Sequence, residues 1–338
     1  MIKKTTIRDL AQAAGVSVTT VSQILNGKGQ RFSSETRLHV LKLQKELNYV
    51  PDFNARNLIL KSSQSIGVLV PNIGNPFFST FIKGIQTTAR ELQYIPLIFG
   101  ANHDEKIESY YLEKMIERAT GGLIIASASI TTETIDTTLK KNGIPYLLMD
   151  QNPIVDGDRV QTNDFDGGKL AAEHLLSLGH QQFAITMPSE PTANLLRRVA
   201  GFKQVLASKG LVFEQVVTIV YAPMTKAGGY EATREVLASG ATAVFAINDE
   251  MAIGLYRGLR QQGILIPTDI SVIGYDNIDL DEYVEPMLTT IQQPILEMGS
   301  MATRLLVNRI KEPLIAPQVV DLPVELIQRQ STGVPKIN

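Results

Sequence analysis

Apolar residues recur at helical spacing over the first fifty positions, then give way after residue 64 to short apolar runs alternating with amphipathic stretches. Ile7, Leu10, Ala11 and Ala14 fall on one face of a predicted helix, and Gly15 breaks it. Ser17 caps a second helix whose apolar face is Val21, Ile24 and Leu25. A small residue at Ala11, a glycine turn and a β-branched Val21 let two helices cross closely. This is the helix-turn-helix pattern, whose second helix lies in a DNA major groove; an ordinary αα-hairpin is the bland alternative. The loop NGKGQRFSSETR follows, and Ser33 or Ser34 caps a third helix running to about Leu47, with Val40, Leu41, Leu43 and Leu47 as its apolar positions. Pro51 disfavours helix at Val50. DFNARNLIL (52–60) is too short to be a stable isolated helix and is expected to fold only when bound. Residues 61–64 form a polar joint.

From Ser65 the pattern changes. SIGVLVP, IPLIFG, GLIIAS and PYLLMD are continuous apolar runs, with helices predicted between them at about 76–93, 105–119 and 132–141. Such alternation predicts a parallel sheet covered on both faces. VQTND (160–164) reads as a crossing point, after which the alternation restarts through FAITMP, VVTIVY, TAVFAI and SVIGYD. A second crossing falls near residues 288–293, then a helix over 295–310 and two late strands at 318–322 and 324–328. The expected architecture is therefore α/β. A helical headpiece (1–50) and a hinge (51–64) precede a two-lobed body of parallel sheets (65–338). Lobe 1 comprises about 65–162 and 294–320, and lobe 2 about 163–290 and 321–332. In such sheets ligands bind beyond the carboxyl ends of the strands, here in a cleft between lobes.

Charge sharpens this division. Residues 1–64 hold ten Lys/Arg against four Asp/Glu, whereas the remainder holds 22 against 30. A basic head on an acidic body suggests a polyanion-binding end. Cysteine is absent, which excludes disulfides and thiolate metal sites and fits a reducing compartment. No apolar run approaches the ~20 residues of a membrane span, and the first residues carry no signal-peptide pattern.

In combination, TIRDLAQAAGVSVTTVSQILN, YVPDFNARNL, NPFF, NDEMAIG, VIGYDN and LTTIQQP resemble the LacI/GalR family of repressors, and the resemblance covers nearly the whole chain. The body is also similar to periplasmic ribose-binding proteins, and within the family the chain looks closest to ribose-type repressors. The resemblance implies a cytoplasmic homodimer on a pseudo-palindromic operator. Val18, Thr19 and Gln23 would read bases: Val18 by methyl contact with thymine, Thr19 by a base edge or phosphate, Gln23 by adenine N6/N7. Many members carry Arg where this chain has Gln23, so the usual operator does not carry over. Thr6, Ser17, Thr20, Ser22 and Asn26 would position the helix on phosphates. Leu58 would wedge into the central base step from the minor groove, with Asn54, Ala55 and Arg56 beside it.

For the effector, the resemblance gathers Asn75, Phe78, Asp150, Arg198, Met224, Asn248, Asp276 and Gln293. Aromatic rings stack on sugar faces, and amides, carboxylates and guanidinium answer vicinal hydroxyls. Phe77 is either core or site, and Asn248, Asp249 and Asp276 also suit helix caps and turns. Gln151 replaces the Arg usual in ribose binders, and Met224 replaces an aromatic ring. The expected partners are operator DNA, a small sugar such as ribose, and a second copy of the chain, with no membrane and no cofactor. A corepressor- or phosphocarrier-dependent regulator is the alternative, and a sugar receptor without DNA function a more distant one. Enzyme motifs are absent: the four histidines lack HExxH spacing, there is no G-x-S-x-G, and DGGKL (166–170) lacks the upstream Gly and following Ser/Thr of a phosphate loop.

Overall fold

A computed structural model describes residues 5–50, 64–102, 104–118, 120–127, 130–149 and 157–336, and the chain divides into two compact units after Ser63. The first is built on helix caps. Thr6 and Asp9 form a reciprocal capping box that starts α1 (Ile7–Ala13). Gly15, at φ +64°, makes the left-handed turn that a residue with a Cβ resists. The Ser17 hydroxyl accepts from the Thr20 N–H at 3.1 Å and starts α2 (Val18–Leu25). Ser33, not Ser34, caps α3 (Ser34–Glu46). Leu10, Ala11, Ala14, Val21, Ile24, Val40 and Tyr49 form a small common core. Leu41 departs from expectation. One helical step beyond buried Val40, it turns out to solvent. Residues 52–60 lie outside the described residues.

The second unit holds two six-stranded sheets. The first comprises β1 (Ser65–Val70), β2 (Ile95–Gly100), β3 (Leu123–Ile125), β4 (Tyr146–Met149), β5 (Asp158–Thr162) and, late in the chain, β11 (Val319–Leu322), in the order β11-β5-β4-β3-β1-β2, all parallel. The second comprises β6 (Phe183–Met187), β7 (Val217–Tyr221), β8 (Ala243–Ala246), β9 (Ser271–Asp276), β10 (Thr289–Gln292) and β12 (Glu325–Ile327), in the order β12-β10-β9-β8-β6-β7. Only β12 runs antiparallel, on β10 at the sheet edge. The expected crossing at 160–164 thus begins as a strand: β5 carries four polar residues in five and reads poorly as a buried run. β10 lies in the second expected crossing in the same way. The first sheet extends through Leu322, paired with Thr162.

The covering helices are α4 (Pro76–Glu91), α5 (Glu105–Glu117), α6 (Thr132–Thr134, continuing as a π-helical turn over Ile135–Lys140), α7 (Asp164–Ser177), α8 (Ala193–Ser208), α9 (Lys226–Ala238), α10 (Asp249–Gln261) and α11 (Ile295–Lys311). They cross in close pairs on glycine. A Cβ at Gly168 of α7 would stand 1.8 Å from the Arg198 carbonyl oxygen of α8, and one at Gly201 would stand 1.9 Å from that of Phe165. α4 and α11 meet likewise through Gly84 and Gly299, and α9 and α10 through Gly229 and Gly254. The glycines of DGGKL are therefore packing residues. Gly201→Ala is expected to cost about 3 kcal/mol, read as a lowered urea midpoint with an unchanged slope.

The chain's end is clasped to lobe 2 by two buried histidines. His174 Nε2 pairs with Thr332 Oγ1 at 2.8 Å, and His180 Nε2 with the Gly333 carbonyl oxygen at 2.9 Å. Burial holds both imidazoles below their ordinary value, and His180 adds to the effect on His174. The unfolded chain therefore takes up protons first as pH falls through about 6.5, so this clasp stabilises at neutral pH and less in acid. The stability gap between wild type and His174→Gln should shrink from pH 7.5 to pH 5 in urea titrations; a gap that stays constant would remove the histidine from the pH dependence.

Candidate ligand cleft and nucleic-acid interface

The carboxyl ends of the strands in both lobes face one cavity of about 450 Å³, within the usual range for a small-molecule site. Seven of the eight expected ligand residues line it: Asn75, Phe78, Arg198, Met224, Asn248, Asp276 and Gln293. The eighth, Asp150, lies outside the described residues. Phe77 lines the cavity too, edge-on to Phe78 with ring centroids 5.1 Å apart.

Arg198 is the most constrained of these groups. Its Nε donates to Asp164 Oδ1 at 2.8 Å, Nη1 donates to the Ile247 carbonyl oxygen at 2.7 Å, and the guanidinium stacks 3.5 Å from the Tyr275 ring centroid. The Tyr275 hydroxyl donates to the same Asp164 oxygen at 3.2 Å. Burial alone would lower the guanidinium, but Asp164, Tyr275 and Asp276 offset it and hold the group above its ordinary value. Arg198 is thus a fixed cation in the cavity wall.

Asp276 ends β9 with φ +127°, a strained backbone of the kind that clusters at binding sites. Its Oδ1 accepts from Gln293 Nε2 at 2.7 Å, while Gln293 Oε1 accepts from Thr162 Oγ1 at 2.8 Å. This chain runs from lobe 1 through a crossing into lobe 2. Burial pushes the Asp276 carboxyl well up; Arg198 pulls it down and Asp249 raises it. Behind it, Thr290 Oγ1 donates to Asp249 at 2.7 Å, and burial is the main cause that pushes both the Asp249 and the Asp281 carboxyls up. Asn248 caps α10 by accepting from the Met251 N–H at 3.0 Å, so it both caps and faces the ligand space.

Sequence reasoning missed Glu108, Glu190, Thr192 and Asn194, all lining the cavity. Glu108 is buried and accepts from Ser127 Oγ. Asn194 carries a signal of its own, a polar side chain in the first turn of a helix that follows a strand. Glu108 carries none, since one acidic residue among several on α5 looks like a solvated face.

In the head, Val18, Thr19, Ser22 and Gln23 share the face of α2 opposite buried Val21 and Ile24. Val18 is 41% exposed, an apolar residue left uncovered at the helix start. Thr6 and Ser17 use their hydroxyls as caps, Thr20 Oγ1 lies 2.9 Å from Ser17 Oγ, and Asn26 closes α2. Asn54, Ala55, Arg56 and Leu58 lie outside the described residues.

A helix-turn-helix head and a bilobal ligand-binding body define a class of effector-controlled DNA-binding proteins. The model of bacterial regulatory proteins of the lacI family matches residues 6–52, and that of a periplasmic binding protein-like domain matches residues 172–332. The HTH-type transcriptional regulator DegA of Bacillus subtilis is 35% identical, covering 98% of each chain. The ribose operon repressor of Escherichia coli is 34% identical over 96% of this chain and 99% of its own. A LacI family regulator from Enterococcus faecium with bound ribose is 44% identical, with a TM-score of 0.77 over 80% of this chain and all of its own. A lac repressor dimer bound to operator is 27% identical, with a TM-score of 0.87 over 98% of this chain and all of its own. The chain belongs to the lacI family of bacterial regulatory proteins. It is a DNA-binding transcriptional regulator, not an enzyme, and no helix among the described residues is long and apolar enough to cross a membrane.

Removing the Arg198 cation would leave the Asp164 carboxylate, 1% exposed, with only the longer 3.4 Å contact to Arg197 as its ion pair. Arg198→Met is expected to cost about 3–5 kcal/mol. The double variant with Asp164→Asn should recover a substantial part of that loss in urea unfolding while ligand binding stays abolished.

Proposed function

We propose that this regulator is a homodimeric repressor of a carbohydrate-utilisation operon, released from a pseudo-palindromic operator by a free neutral sugar of about the size of ribose. The observation that carries the reading is the cleft's chemistry. Two phenylalanine rings offer a stacking face, while Asn248, Asp276, Gln293 and Arg198 offer donors and acceptors for hydroxyls. Glu105, Glu108 and Glu190 line the walls, and Arg198, already paired with Asp164, is the sole cation among the described lining residues. Such walls disfavour a phosphorylated sugar. The ribose operon repressor and the ribose-bound Enterococcus protein support ribose, and the lac repressor dimer on operator supports a dimer. In this reading the protein works in the cytoplasm, where it reaches operator DNA.

In this reading Val18, Thr19 and Gln23 contact base edges. Thr20, Ser22 and Asn26 hold phosphates, and Thr6 and Ser17 contribute through the helix N-termini that they cap. Residues 54–58 form the minor-groove hinge, and Asp150 joins the sugar's partners. By linkage, a sugar that prefers the DNA-released state weakens operator binding by the factor by which operator weakens sugar binding.

Fluorescence anisotropy on candidate palindromic operators, at two salt concentrations and with or without ribose, tests this. Specific binding with a steep salt slope, weakened by ribose, is the expected result. Gln23→Ala should relax the preference at one base pair, costing about 1–3 kcal/mol there. Binding tightened by ribose would reverse the sign of control. Binding indifferent to it would discard ribose as effector. Failure to select any operator would remove the assigned DNA contacts.

A further inference from the structure

Asn75 does not present a free amide to the cleft. Its Oδ1 accepts from the Phe77 N–H at 2.8 Å and so starts α4. Its Nδ2 donates across the cleft to Glu250 Oε2 at 3.0 Å. Glu250 stands in the first turn of α10 in the other lobe, and its second carboxylate oxygen accepts from Lys226 Nζ at the start of α9. The Glu250 side chain is only 10% exposed, so its charge is largely withdrawn from water and held by these two partners. The Thr162–Gln293–Asp276 chain passes through a segment that covalently joins the lobes. Asn75 and Glu250, by contrast, are 175 residues apart and on no connecting segment.

We propose that Glu250, held by Lys226, is a positioning residue that latches the lobes together through Asn75 and fixes that amide for the ligand. The proposal rests on the sugar reading only for its effect on affinity, because the latch itself needs no ligand. With its oxygen turned to the Phe77 N–H and one hydrogen on Glu250, the amide is fixed in orientation, and its second N–H is left to donate to a ligand hydroxyl. Separating the lobes breaks the Asn75–Glu250 bond and releases the amide to turn. Lys226, 47% exposed at the side chain, is the part of the relay that solvent reaches, so the latch has one wet end and one dry end. Pre-organisation of this kind lowers the ordering cost that a ligand must otherwise meet.

The test uses the full-length chain without ligand, followed by mass-spectrometric hydrogen exchange. Glu250→Ala should speed exchange at residues 75–80, in the other lobe, and Glu250→Gln should largely restore protection. Lys226→Met, which leaves Glu250 in place, should give a smaller change in the same direction and serves if Glu250→Ala does not fold. In the background of Asn75→Ala the Glu250 substitution should add nothing at residues 75–80. Ribose titration by calorimetry then reads the consequence: Glu250→Ala should weaken binding about tenfold, and the Asn75/Glu250 double variant should be no weaker than Asn75→Ala alone. Faster exchange confined to α10, with residues 75–80 unmoved, would reduce Glu250 to a helix-stabilising residue and overturn the proposal. So would strictly additive losses in the double variant. Coupled exchange in a wild type that does not bind ribose would uphold the latch while removing ribose as the ligand.

Discussion

The body depends on a guanidinium kept out of water. Taking Arg198 into the interior is tolerated because Asp164 supplies the opposite charge, the Ile247 carbonyl oxygen takes a second N–H, and the Tyr275 ring covers the plane. These partners come from the start of α7, the end of β8 and the end of β9. One ion pair thus fixes where the carboxyl ends of lobe 2 lie relative to each other. Asp164 stands one residue past Asn163, where the chain has just left the first sheet, so the pair also sets how lobe 2 begins. The hydrogen bonds around Asp276 and Gln293 build on that frame.

Much of this was legible in the sequence because the buried strands are continuous apolar runs and their ends carry the polar residues. Asn248, Asp276 and Arg198 stood out as polar groups at places where a ligand can reach them. What was hidden has physical reasons. β5 and β10 lie at the crossings between lobes and are mostly polar although largely buried, so neither shows a clean apolar run. Leu41 looked like a core residue by its type, but one helical step from Val40 turns it outward. Glu250 is one of two acids in the first turn of its helix, and nothing in its local sequence sets it apart. Its partners, Lys226 and Asn75, come from other elements, and no periodicity predicts a meeting of residues so far apart. Asp164, the partner that holds Arg198, was hidden for the same reason.

The head shows a different economy. Its three helices share a core of seven buried residues, and Leu38, Leu41 and Val50 lie exposed outside it. Val18 is exposed too, and its neighbours on that face are small hydroxyl residues and one amide. Caps at Thr6, Ser17 and Ser33 settle the helix starts by hydrogen bonding alone, which leaves the outer face of α2 free of structural duty. The residues that stabilise the head and those available to a nucleic acid are thus largely separate side chains on the same short helix.

The paired glycines give the body a further property. Where α4 meets α11, α7 meets α8 and α9 meets α10, backbone touches backbone, and no side chain stands between to change rotamer or yield. Each pair behaves as a single stiff slab. Motion between the lobes is then channelled into the three short passages where the chain changes sheets, near residues 163, 293 and 323. The same division separates what can vary from what cannot. Loops at the strand ends can exchange residues to suit a new effector, while the slabs that carry the resulting motion keep their composition.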